Sequence, residues 1–224
     1  MAFTAKTLDF LFMNKLHNDK IWFNEHRDEY EENVLSPLRA LVNELTPGML
    51  SIDPQMICEP KVNKSISRIF RDTRYSNDKS IFRDVMWCHF SRDKKLYDAV
   101  PSYFYEFSPR RIRYGCGYYC MTGEAMDNVR QLVLDGGPLF EAAYDVVEKS
   151  RKFTLIDSKY KRSKFPDKPE KMKQWLDQKE ICVLAETTDF EAFFSEKLAG
   201  KIIKDFKKLA PVYELLLKAA QLGE

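Results

Sequence analysis

The chain has 224 residues, 44% hydrophobic, 31% charged and 13% aromatic, with a formal net charge of +2 and a mean hydropathy of −0.46. That length supports a single domain over residues 1–224 with a large buried core. The composition excludes a disordered chain, and no apolar run approaches the ~18 residues of a membrane span.

The opening Met-Ala-Phe-Thr-Ala-Lys has no basic stretch followed by an apolar one, so a cytoplasmic location is expected. The five cysteines, an odd number, are then read as reduced thiols. Cys116 and Cys120 have no second Cys or His pair beside them, so no metal site is expected. The charge is unevenly placed. Residues 1–60 hold five Lys/Arg against ten Asp/Glu, residues 61–113 hold thirteen against six, and residues 149–164 hold seven against one. Such segments either attract one another within the fold or present a basic face to an anionic partner.

In chain order, Leu8, Leu11, Phe12 and Leu16 carry a helical period that Asn18 ends. Asp19 caps a second helix with Trp22 and Phe23, both expected in the core. Ser36-Pro37 restarts a helix whose stripe is Leu38, Leu41, Val42 and Leu45, and Thr46-Pro47-Gly48 stops it. Residues 61–67, 85–91, 102–108 and 111–121 read as strands. The last two form a hairpin around 108–111 in which Glu106 faces Arg113 and Phe104 faces Gly115. Helices follow over 123–134 and 138–149, then a strand over 153–160, a helix over 168–178 and a strand over 181–185. Asp189 caps a helix with a face of Phe190, Phe193, Phe194, Leu198 and Ile202, and a last helix carries Leu209 to Leu217. Helices at both ends and consecutive strands between them make an α+β fold, a central antiparallel sheet covered by N-terminal and C-terminal helices.

No dinucleotide fingerprint, P-loop, H-E-x-x-H or G-x-S-x-G motif is present, so no cofactor is assigned. The densest polar cluster runs from Arg68 to Lys79. Arg68, Arg71 and Arg74 recur every third residue, Ser76 and Lys79 follow, and Asp72 and Asp78 lie among them. Guanidinium groups bind phosphate or carboxylate through two parallel hydrogen bonds, so these six positions with Asp72 make a candidate anion site; the same residues also suit a loop stitched by its own Arg–Asp pairs. Of the three histidines, His26 has ionisable neighbours and is the candidate acid–base group, with Asp72 orienting. Gly115 and Gly117 leave one strand face bare; a ligand or, preferably, an aromatic ring would fill it.

Together these residues resemble an uncharacterised, mostly bacterial family, domain of unknown function 2461. The resemblance rests on Phe10-Leu11, on Asn18 with Trp22-Phe23, and above all on Arg68-Ile-Phe70-Arg71-Asp72-Thr-Arg74-Tyr75-Ser76-Asn-Asp78-Lys79. The chain departs from the family pattern at Ser80–Arg83, where Pro-Tyr-Lys is expected, and at Met121-Thr122, where a proline is expected. The resemblance implies no reaction. The resulting expectation is an anion-binding cleft, for an enzyme on a phosphorylated or carboxylated small molecule; the alternative is a nucleic-acid or protein-partner module without catalysis. No membrane partner is expected.

Overall fold

The structure, a computed structural model, describes residues 2–74, 77–97, 99–118 and 121–222. It is α+β, with helices before and after a five-stranded antiparallel sheet of order β1-β2-β3-β5-β4. The strands are β1 (Met86–Ser91), β2 (Pro101–Phe107), β3 (Ile112–Tyr118), β4 (Thr154–Leu155) and β5 (Cys182–Thr187). The chain forms two compact units.

The first unit comprises Met1–Phe90, Phe104–Arg113 and Glu186–Ile203. It opens with α1 (Ala5–His17), α2 (Lys20–Glu25), α3 (Arg27–Tyr30), a π-helical turn Glu31–Leu35 and α4 (Ser36–Ile52). Asn18 ends α1 in the left-handed conformation at φ 48°, which asparagine tolerates better than most side chains. The Asp19 carboxylate then accepts from the Ile21 and Trp22 amides at 2.8 Å, so its capping of α2 is as the sequence predicts. The restart expected at Ser36-Pro37 is instead a continuous helical path through the π turn. Pro37 has no N–H for the Asn33 carbonyl, and the Thr7 hydroxyl donates to that carbonyl at 2.7 Å. Nor does Thr46-Pro47-Gly48 stop α4, which runs on to Ile52. The Thr46 hydroxyl donates to the Val42 carbonyl, and bare Gly48 lets Ile203 come so close that a Cβ there would lie 2.4 Å from its Cδ1. Leu38, Leu41, Val42, Leu45 and Met49 are all buried.

Residues 61–67 are a turn rather than a strand. Asn63 at φ 67° reverses the chain, yet Ser65 and Ser67 still bond the edge of β1, through His89 N–H to the Ser65 carbonyl and Ser67 N–H to the Trp87 carbonyl. The 108–111 hairpin is as expected. The Ser108 amide donates to the Arg111 carbonyl at 3.0 Å, and Glu106 faces Arg113, with Oε1 2.7 Å from the guanidinium. Residues 191–197 form turns, so the expected helix from Asp189 begins only at Leu198.

The second unit comprises Ser91–Tyr103, Tyr114–Ala185 and Lys204–Glu224. Here α5 (Gly123–Asp135), α6 (Pro138–Lys149), α7 (Glu170–Leu176) and α9 (Ala210–Gln221) pack around Val129, Val133, Phe140, Trp175 and Leu216. The helix α8 (Leu198–Lys208) contributes Phe206, which lies against Tyr103 with ring centroids 5.0 Å apart. The strand expected over 153–160 is reduced to Thr154–Leu155, with one further bridge between Lys159 and Gln178. The face bared by Gly115 and Gly117 is filled by neither ligand nor ring: the backbone of residues 181–184 lies against it. Burial keeps the Cys88 and Cys116 thiols protonated, raising Cys88 to about 12. Cys120 lies outside the described residues. No helix among the described residues is long and apolar enough to cross a membrane.

Candidate functional site

The arginine cluster is a loop on a short two-rung ladder. The Arg71 amide donates to the Ile81 carbonyl at 2.8 Å and the Arg83 amide to the Ile69 carbonyl at 2.9 Å. Phe70 bridges Phe82. Phe23, buried on α2, touches both rings and Tyr30, which seats the ladder on the N-terminal helices. Asn18 fastens it: its side-chain oxygen accepts from the Ile81 and Phe82 amides at 2.7 and 3.2 Å. Asn18 is thus both the end of α1 and the clamp on the loop.

Within the loop each aspartate has a separate task. Asp72 takes a two-pronged grip from Arg74, at 3.0 Å from Nε and 2.7 Å from Nη2, and also accepts the Arg74 amide. These bonds hold the Asp72 carboxyl well below the ordinary carboxylate range. Asp78 caps Ser80, accepting its amide at 2.9 Å, and its other oxygen lies 3.2 Å from Arg71 and 3.3 Å from Lys15. Hydrogen bonds from Ser80 first, then Lys15, lower its pKa as well. Lys79 donates to the Thr73 carbonyl at 2.7 Å. Among the described residues, the exposed Arg68 has no hydrogen bond or ion pair and the buried Nε of Arg71 has no hydrogen-bond partner. Ser76 lies outside the described residues. The sequence pattern did not single out Lys15 or Ser80, which belong to distant segments or to ordinary loop chemistry. Asn18 stood in the resemblance pattern, and its position opposite the ladder explains why an asparagine is needed there.

His26 is placed apart from this network. Its Nδ1 lies 2.8 Å from the Trp22 carbonyl, which can only accept, so Nδ1 donates this bond. Its ring stacks on Trp22 at 4.1 Å, and His17 stacks on Trp22 at 4.7 Å, so the indole lies between two imidazoles and is only partly buried. Trp22 is therefore less of a core residue than expected, whereas Phe23 is 6% exposed. No contact among the described residues joins His26 to Asp72.

One consequence concerns the clamp. Asn18→Ala removes both bonds to the ladder and places alanine at positive φ. It is expected to cost about 2 kcal/mol in urea denaturation. Asn18→Gly, which keeps the backbone relaxed, should cost less than the alanine variant; equal stability of all three chains would show that the two bonds contribute nothing.

No curated protein matches the chain at a significant level. A family model described as conserved hypothetical protein (DUF2461) matches residues 6–215, a span that includes the clamp, the arginine loop and the sheet, and the chain belongs to that family.

Proposed function

We propose that the arginine loop binds a small anion, a phosphorylated or carboxylated molecule, with Arg68 as its first contact. The observation that carries this reading is a charge surplus with an unengaged guanidinium. Lys15, Arg68, Arg71, Arg74 and Lys79 are five cations set around two carboxylates, Asp72 and Asp78, a surplus of three. Arg68 offers its planar fork to solvent, the geometry that recognises carboxylate and phosphate oxygens. Asp72 keeps Arg74 in a fixed orientation beside it. His26 stands apart from the loop on Trp22, so the proposal is one of binding and assigns it no proton transfer there. This reading also assigns the whole chain to one domain and to the cytoplasm.

The test is calorimetric titration of inorganic phosphate into the native chain and Arg68→Ala. The native chain is expected to bind, more weakly as salt rises. Arg68→Ala is expected to bind about tenfold or more weakly, since one charge-assisted contact is worth ~1.5–3 kcal/mol, at unchanged thermal stability. No heat of binding in the native chain, or equal binding by both, overturns the reading.

A further inference from the structure

The second unit carries a basic surface that the arginine loop does not use. Tyr160 is ringed by three cations: Lys164 Nζ lies 3.9 Å from its ring centroid, Lys179 Nζ 5.7 Å and the Arg130 guanidinium carbon 6.0 Å. The arrangement is built rather than incidental. The Tyr160 amide donates to the Asp177 carbonyl, the Lys164 amide to the Asp177 carboxylate and the Lys179 amide to the Ser158 carbonyl, all at 2.8–2.9 Å. Arg130 is anchored on the Leu176 and Gln178 carbonyls and on Asp127. The cations lower the Tyr160 phenol pKa, Lys164 most and then Arg130.

Five lysines elsewhere in this unit are paired: Lys149 with Asp145, Lys171 with Glu141, Lys173 with Glu170, and Lys152 and Lys208 with Asp205. Lys164 and Lys179 have no ion pair among the described residues. The same holds for Lys159, Lys161 and Arg162, which flank Tyr160 and are exposed. The acidic residues nearest in sequence, Asp157, Asp167, Asp177 and Glu180, form no ion pair with them among the described residues; the Asp177 carboxylate accepts the Lys164 amide. A single small phosphate would use two or three of these cations and leave the rest. A chain of phosphates uses them all.

We infer that the Tyr160 surface binds the phosphate backbone of a single-stranded nucleic acid. Lysines along the 159–164 segment and Lys179 contact successive phosphates. When the Lys164 ammonium moves onto a phosphate it uncovers the ring face it now covers, and one base stacks there. A duplex keeps its bases stacked on each other and gains nothing from Tyr160, so the single strand is preferred.

The experiment is fluorescence anisotropy with a labelled single-stranded oligothymidylate, a hairpin duplex of equal charge as competitor, and a salt series. The native chain should bind the single strand more tightly than the duplex, and log affinity should fall with log salt by about 0.7 per phosphate contact. Lys164→Ala with Lys179→Ala should weaken binding and reduce that slope by roughly 1–2. Tyr160→Leu should weaken it about tenfold with the slope unchanged, the signature of a lost stacking contact rather than a lost charge. Arg68→Ala should bind the strand like the native chain, which separates this site from the arginine loop. All the substituted side chains lie at or near the surface, and unchanged circular dichroism and thermal midpoint confirm that the variants are folded. No binding by the native chain, equal binding of duplex and single strand, an unchanged slope in the lysine variant, or a loss confined to Arg68→Ala overturns the inference.

Discussion

Gly115→Ala is expected to destabilise the protein by more than the ~1–3 kcal/mol of ordinary overpacking. A Cβ at residue 115 would stand 2.1 Å from the Val183 carbonyl oxygen and 2.7 Å from the Leu184 Cα. Non-bonded carbons approach to about 3.5–4.0 Å, so relief requires a shift of an ångström or more. The obstructing atoms are backbone atoms of β5, with no rotamer to turn aside. Parting β3 from β5 stretches ladder bonds such as Tyr118 N–H to the Ile181 carbonyl, now 3.1 Å. Gly117 is under the same constraint, with a Cβ there 2.6 Å from the Cys182 Cα and the Ile181 oxygen. The comparison variant is Gly200→Ala. Residue 200 is an exposed position on α8 with nothing within 4 Å, and alanine there should stabilise by about 0.5–1 kcal/mol. Urea denaturation measures both. A loss under 1 kcal/mol in Gly115→Ala would mean that the two strands part freely and that the close approach has no energetic weight.

The glycine pair also marks how far sequence reasoning reaches. Two glycines on one strand face announce a close approach, and that much is legible. Which partner approaches depends on strand order, and the adjacency of β3 and β5 brings together residues more than sixty apart. Local signals fare well: Asp19 as a cap, the hairpin that sets Glu106 against Arg113, and the break at Gly136 between α5 and α6, where φ is 62°. Proline is less decisive. Pro37 and Pro47 read as breakers, yet Thr7 and Thr46 supply hydroxyls to nearby helix carbonyls, and a hydroxyl from another helix leaves no local trace. In the candidate site, the Asp72–Arg74 grip is two residues apart and legible. The Lys15–Asp78 pair and the Asn18 clamp span 63 residues or more and are not.

Asp205 illustrates the same limit and has the second large expected effect. Its neighbours Lys204, Lys207 and Lys208 make the segment look like a solvated helix face, yet the residue is 5% exposed. Its carboxylate accepts from the Tyr114 hydroxyl at 2.9 Å, Lys152 Nζ at 2.6 Å and Lys208 Nζ at 2.9 Å. Burial alone would raise its pKa; the bonds from Lys152, Lys208 and Tyr114 together outweigh burial and bring it below the ordinary value. Asp205→Ala does not strand all three donors. Both lysine side chains are about half exposed and return to water, so each loses little. The Tyr114 hydroxyl is buried and loses the carboxylate it donates to, the dominant loss. The expected cost is therefore about 2–4 kcal/mol, most of it from the phenol. Tyr114→Phe in the Asp205→Ala background removes that hydroxyl, so the double variant should be more stable than the sum of the single losses predicts, by ~1 kcal/mol or more. The pH dependence has a definite sign. Because the folded carboxyl is more acidic than the unfolded one, its stabilisation is fully present above the ordinary carboxylate range and is lost as pH falls through and below it. The native chain should lose stability on acidification more steeply than Asp205→Asn, which keeps an acceptor for Tyr114 but has no proton to take up. Parallel acid profiles for the two chains, or strict additivity in the double variant, would show that Asp205 is not the centre of the network.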